Sequence, residues 1–227
     1  MNIQALNTQL CNVYKEFWQT TYSILPKEKG LSAPLFSKIS CDCKQFFMMV
    51  GQQTRGWQPE ILNSNDPDPV KCLMNAYECF KMGEKYAKSP FGNASKRMNN
   101  KLKSSGYGFI WSNIITADQA LRRPDPEIEE IICQYGLLRR EISIMKPQAI
   151  VFFTGPCYDN RIKSVFPDVS FTPIPLYEKY LCRLQHPILP FHSYRTYHPN
   201  YLRRRKQMNN ILDHVSLLIL DEPNKAL

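Results

Sequence analysis

Apolar residues recur along this chain in two patterns, helical stripes and short unbroken runs. Leu6, Leu10, Val13, Tyr14 and Phe17 fall three or four positions apart, which predicts an opening amphipathic helix over residues 3–18 with one buried face. Three runs are continuous instead: QFFMMVG (45–51), GYGFIWSNI (106–114) and AIVFFTG (149–155). Runs of that length without polar alternation fit strands covered on both faces, as in parallel sheets. Weaker strands are predicted over 169–174, 180–184 and 194–197. A helix is predicted over about 70–87, broken by SPFGN (89–93) before a second helical stretch to 103. Ile128, Ile131, Ile132, Leu138, Ile142 and Met145 define another helix, opened by Asp125, Pro126 and early acids and stopped before Pro147. Met208, Ile211, Leu212, Val215, Leu218 and Ile219 define the closing helix.

Strands alternating with helices imply an α/β sandwich. In open α/β sheets ligands bind beyond the carboxyl ends of the strands. The segments to inspect are therefore GQQTRGW (51–57), SNI (112–114), TGPCYDN (154–160) and YHPNYL (197–202), which are predicted to converge on one cleft. The polar segment 54–69, with Pro59, Pro67 and Pro69, reads as a long functional loop or insertion.

Charge narrows the partner. The 227 residues carry 29 Lys+Arg against 20 Asp+Glu, a net charge of +9 that favours a polyanion, with nucleic acid ahead of an anionic membrane. No apolar stretch approaches the roughly 20 residues of a membrane span, and no apolar signal core follows a basic N-terminus. The expectation is a soluble, cytoplasmic protein. The eight cysteines are read as reduced, and neither Cys41/Cys43 nor Cys72/Cys79 has zinc-site spacing, so neither metal nor cofactor is predicted.

The segment TYHPNYLRRRK (196–206) joins an imidazole, a leucine and four consecutive cations. That combination suits charge stabilisation, a wedge and a phosphate grip on a nucleic acid. A His-Pro pair also commonly opens a helix, with Leu202 in the core and the cations on a solvated face.

In order and placement these segments resemble the motifs of the uracil-DNA glycosylase superfamily. VGQQTRGW, from Val50, is similar to the family's VGQDPYHG; GFIWSNIIT (108–116) is similar to GVLLLNTVLT; Thr154-Gly155 lies where the family has a WG turn; YHPNYL resembles HPSPL. The matches span roughly 150 residues, and two parts align with nothing in the family. They are an N-terminal helical extension (about 1–40) and an insertion between the first two core strands (about 58–105). The resemblance implies a three-layer α/β/α sandwich around a central, mainly parallel four-stranded sheet, in a single domain over 1–227. It implies a monomer that acts on double-stranded DNA, flips out a base and cuts its N-glycosidic bond to leave an abasic site.

Carried over by position, His198 becomes the catalytic histidine that stabilises the departing base, Asn113 the base-reading amide and Leu202 an intercalating side chain at an exposed loop tip. Arg203, Arg204, Arg205 and Lys206 become phosphate contacts, and Gln52 a further base-binding residue. A stacking aromatic is also implied, with Phe91 ranked ahead of Trp57 and Trp111. Two positions depart from the pattern. Gln53 stands where the family places a water-activating aspartate or asparagine; an amide is no general base, but its oxygen can orient a water. Arg55 replaces the tyrosine that closes the pocket against substituents at C5 of a pyrimidine, which suggests a wider pocket offering guanidinium donors. The expected substrate is therefore a 5-substituted cytosine, such as glucosylated hydroxymethylcytosine of bacteriophage DNA, with phage defence as the role. The alternatives are a repair glycosylase for uracil or another deaminated base, and a non-catalytic DNA-binding protein on the same fold.

Overall fold

A computed structural model of the chain describes residues 2–40, 47–62, 66–82, 88–102 and 109–221. Six strands form one sheet: β1 (Phe47–Gln53), β2 (Phe109–Ile115), β3 (Ala149–Phe153), β4 (Ser170–Pro173), β5 (Leu181–Gln185) and β6 (His192–Thr196). Their spatial order is β2-β1-β3-β6-β5-β4. The first four positions in that order are mutually parallel, and β5 and β4 continue the sheet antiparallel. The four-stranded sheet expected from the sequence is thus corrected to a six-stranded, mainly parallel one. The extra pair comes from two of the three weaker strand segments, β4 and β5, which pair with each other, β5 then pairing with β6, the third. The strand expectations for 45–46, the start of the 106–114 run and the cysteines at 41 and 43 lie outside the described residues.

The continuous apolar runs are explained by their place. β2 and β3 are buried throughout, and β1 is buried until its last two residues. β4, at the sheet edge, is largely exposed and reads Ser-Phe-Thr-Pro. Side chains alternate between faces, so Ser112 of β2 points to one helical layer and Asn113 to the other. Helices therefore cover both faces.

The helices are α1 (Ile3–Thr20), α2 (Pro59–Leu62), α3 (Pro69–Phe80), α4 (Pro90–Lys101), α5 (Pro126–Tyr135), α6 (Leu137–Met145), α7 (Asp159–Val165), α8 (Pro199–Arg204) and α9 (Met208–Asp221). The single helix expected over 126–145 is two, because Gly136 takes a left-handed φ of 68° and caps the first while opening the second. Asp125 stands at the expected N-cap of α5, followed by Pro126 and early acids, but its carboxylate accepts from Gln119 Nε2 at 3.1 Å instead of from an amide of the helix. Among the described residues no helix is long and apolar enough to cross a membrane.

A buried carboxylate ties α1 and α6 to the sheet. Glu141 accepts hydrogen bonds from the Tyr14 hydroxyl (2.6 Å) and the Ser112 hydroxyl (2.7 Å). Burial raises its pKa from 4.5 to about 7, outweighing the hydrogen bonds from Tyr14 and Ser112, which pull the other way. The unfolded chain loses this proton near 4.5 and the folded chain near 7, so the stability held by the neutral form is whole below 4.5 and lost as pH rises through about 7. Glu141→Gln cannot ionise. Its melting temperature relative to wild type is expected to climb across that window in thermal denaturation, and parallel curves would refute a proton uptake at Glu141.

Candidate active site

The strand order reverses at β1: β2 lies on one side of it, and the chain then crosses back to place β3 on the other. Such a switch point leaves a crevice at the C-terminal end of the central strand. A cavity of about 700 Å³ opens there. Gln52, Gln53, Arg55, Phe91, Asn113 and His198, all singled out in the sequence, line it together.

Asn113 sits in mid-register opposite Gly51, in neighbouring parallel strands. A side chain at position 51 is sterically excluded, since a Cβ there would lie 2.3 Å from Asn113 Oδ1 and 3.3 Å from a ring carbon of Phe91. The glycine thus lets the Asn113 amide lie across the floor. Its Nδ2 is buried and finds no hydrogen-bond acceptor among the described residues. A buried amide N–H without a partner costs roughly 1–3 kcal/mol, which a ligand acceptor in the cavity would recover.

His198 lies two residues past the end of β6 and caps α8. Its Nδ1 accepts a hydrogen bond from the Asn200 backbone N–H at 3.2 Å, which puts the proton of the neutral ring on Nε2. Burial, then the nearby Arg204 guanidinium, holds its pKa below the usual histidine value. The site therefore holds a neutral imidazole with one N–H to offer. Phe91 lies beside it, ring centroids 6.3 Å apart and planes 29° from parallel. Trp57 and Trp111 are buried edge to face against each other, so among the three candidate aromatics Phe91 is the half-buried ring next to the imidazole.

Gln53 is fixed by a residue that the sequence did not single out. The Tyr158 hydroxyl donates to Gln53 Oε1 at 2.5 Å, and burial pushes the Tyr158 pKa up to about 12, so it remains a donor. One lone pair of the Gln53 oxygen is thereby engaged, leaving the other for a water. Gln52 Nε2 donates to the Thr154 carbonyl at 2.8 Å, tying β1 to the end of β3. Arg55 is exposed and lines the mouth. Tyr158 lies in the 154–160 segment, yet its role rests on a pairing across 105 positions that no local pattern announces.

Leu202 requires correction. It is 0% exposed, buried with Pro199 in α8, and is neither at a loop tip nor free to enter a duplex. The His-Pro pair opens a helix, and its fourth residue turns into the core. Arg203, Arg204, Arg205 and Lys206 are exposed beyond it, with Arg203 bonded to Asn200 Oδ1 and Arg205 over the Tyr201 ring.

A hairpin that follows β2 lines the same cavity through Leu121. Gln119 and Arg122 exchange backbone hydrogen bonds around Ala120 and Leu121. Both central residues have positive φ, 49° and 65°, the backbone of mirror-image two-residue turns that Asn-Gly normally fills. Buried Asp118 anchors this hairpin to the loop after β1: its carboxylate accepts from Leu121 N (2.9 Å), Thr54 Oγ1 (2.8 Å) and Gly56 N (2.7 Å).

Fold and site together define a mainly parallel α/β protein with a polar, aromatic-walled cleft at the strand ends. A scan against protein-family models and a search of curated proteins both find no match.

Gly51→Ala is expected to cost about 1–3 kcal/mol, the usual penalty for overpacking, as Asn113 and Phe91 are pushed aside. Urea denaturation measures the loss, and unchanged stability would mean that Asn113 is not held against the glycine.

Proposed function

We propose that the chain is a uracil-DNA glycosylase-like enzyme that hydrolyses the N-glycosidic bond of a flipped pyrimidine. The observation that carries this reading is the pairing, in one cavity, of an unpartnered Asn113 amide with a neutral His198 held as an Nε2–H donor. Asn113 reads an acceptor on the base edge, and Phe91 stacks on its face. As the C1′–N bond breaks, its electrons pass to the base, and the His198 Nε2–H stabilises the negative charge arriving on the base carbonyl. A water adds to C1′ and releases its proton to solvent, and the departed base anion takes up a proton from solvent, leaving an abasic site and the free base. The Gln53 oxygen, steadied by Tyr158, orients that water without taking its proton.

The cavity volume of about 700 Å³ lies within the roughly 300–1,000 Å³ of sites that enclose whole small-molecule ligands. With Arg55 at its mouth, this favours a base enlarged at C5, such as glucosylated hydroxymethylcytosine of phage DNA, over bare uracil. Phage defence follows as the biological role. A binder that does not cut is the second reading, favoured by Gln53, whose amide is no base. Arg203–Lys206 would grip phosphates under either reading.

Duplexes carrying uracil, hydroxymethylcytosine or glucosylated hydroxymethylcytosine, incubated with the protein and then treated with alkali, separate these readings. The expected outcome is strand scission on the glucosylated duplex, lowered about 100-fold or more in His198→Ala, the scale of losing one preorganised donor to a developing anion. Scission at uracil alone overturns the enlarged-base assignment. Salt-sensitive binding without scission on any duplex overturns the enzyme.

A further inference from the structure

We infer that Leu121, on the hairpin after β2, is the side chain that enters the duplex where the flipped base was stacked. The inference rests on the DNA glycosylase reading.

A base leaving the stack opens a gap, and proteins that hold DNA in that state commonly insert an apolar side chain between base steps. In the resemblance that role falls to Leu202, but Leu202 is wholly buried. Leu121 has the placement that Leu202 lacks. It is 57% exposed, unlike Trp57, Phe91 and Trp111 of the same cavity, which it lines together with His198.

The hairpin has features that a mere surface turn does not need. Its two central residues both take positive φ, a conformation that glycine or asparagine adopts at far lower strain than leucine. A γ-branched apolar residue held exposed in that backbone violates both turn chemistry and burial, and such violations gather at functional sites. The turn is also rigidly mounted. Ala120 N donates to the Gly30 carbonyl at 2.8 Å, Ser32 N to the Asp118 carbonyl at 2.7 Å, and Leu121 N to the Asp118 carboxylate at 2.9 Å. Gly56, at a φ of 69°, lies so close to the turn that a Cβ on it would come within 2.8 Å of Leu121 Cδ2. A wedge must resist being pushed back, and a tip fixed by backbone bonds on both sides does so. Arg122, exposed at the next position, brings a cation to the phosphates flanking the gap.

Leu121→Gly removes the side chain while placing at φ 65° the residue best suited to it, so the fold is preserved or strengthened. The experiment compares wild type and Leu121→Gly on one modified base, in a paired duplex and in a single strand, by alkali-revealed scission. The duplex also carries 2-aminopurine beside the target, and its fluorescence reports unstacking on binding. The single strand needs no wedge. The expected result is a loss on the duplex that exceeds the loss on the single strand by about tenfold or more, the equivalent of roughly 1.4 kcal/mol of unstacking support, with the fluorescence rise abolished. Equal losses on both strands would make Leu121 a wall of the pocket and overturn the wedge. So would an undiminished fluorescence rise in the variant, with the glycosylase reading intact. Wild-type protein that neither binds nor unstacks the duplex defeats the glycosylase reading itself, and the wedge falls with it.

Discussion

One buried carboxylate holds the functional end of this molecule together. Asp118 is 1% exposed, and its charge is met by donors from two separate loops: the Thr54 hydroxyl and Gly56 N–H after β1, and the Leu121 N–H after β2. Its own backbone N–H is bound by the Ser32 hydroxyl at 2.9 Å, drawing in the segment that follows α1. Hydrogen bonds to a charged group are worth about 1.5–3 kcal/mol each, and one left unmade in the interior costs as much. The three stretches of chain are consequently locked in one arrangement. Arg55 is carried between two of these contacts, so the cavity mouth is set by Asp118 rather than by the cavity's own side chains.

Much of the frame was legible in the sequence because parallel strands announce themselves. The runs that became β1, β2 and β3 are apolar for the plain reason that helices cover both faces. β6 is buried just as completely and reads His-Ser-Tyr-Arg-Thr. Its polarity is absorbed by pairings invisible to periodicity: Arg195 is bonded to Asp159 at 3.0 Å and the Ser193 hydroxyl to the Pro190 carbonyl at 2.7 Å. The helical stripe over 128–145 predicted one helix because the stripe continues across Gly136 while the backbone does not. For the site, the strand-end rule brought Gln53, Asn113 and His198 to one place without any knowledge of their contacts. It could not reveal Tyr158, Asp118 or Leu121. Tyr158 and Asp118 act through partners distant in the chain, and Leu121 is exposed only because Ala120 and Leu121 adopt a backbone that their residue types disfavour. Leu202 went the other way: helix formation at Pro199 rotates it inward, and a short motif leaves loop and helix equally open.

The site also separates charge from chemistry. Arg203, Arg204, Arg205 and Lys206 are exposed on α8 and just past its end, whereas His198 at the start of the same helix is partly buried and kept neutral. Arg204 contributes to both halves, as a surface cation and as a charge that disfavours imidazolium at His198. On the proposed reading, a polyanion drawn to the outer face would meet, inside, a donor that carries no charge. On the proposed chemistry that order is the useful one, because an imidazolium would also stabilise the phosphate-bound ground state, while a neutral N–H gains most as the base departs with its negative charge. Asn113 adds a second unpaired donor from the floor, and Arg55 more at the mouth. On the same proposed chemistry, these donors suit a base that gains negative charge as it departs, and Gln53, one lone pair of its oxygen held by Tyr158 and its amide unable to act as a base, would orient the attacking water without deprotonating it.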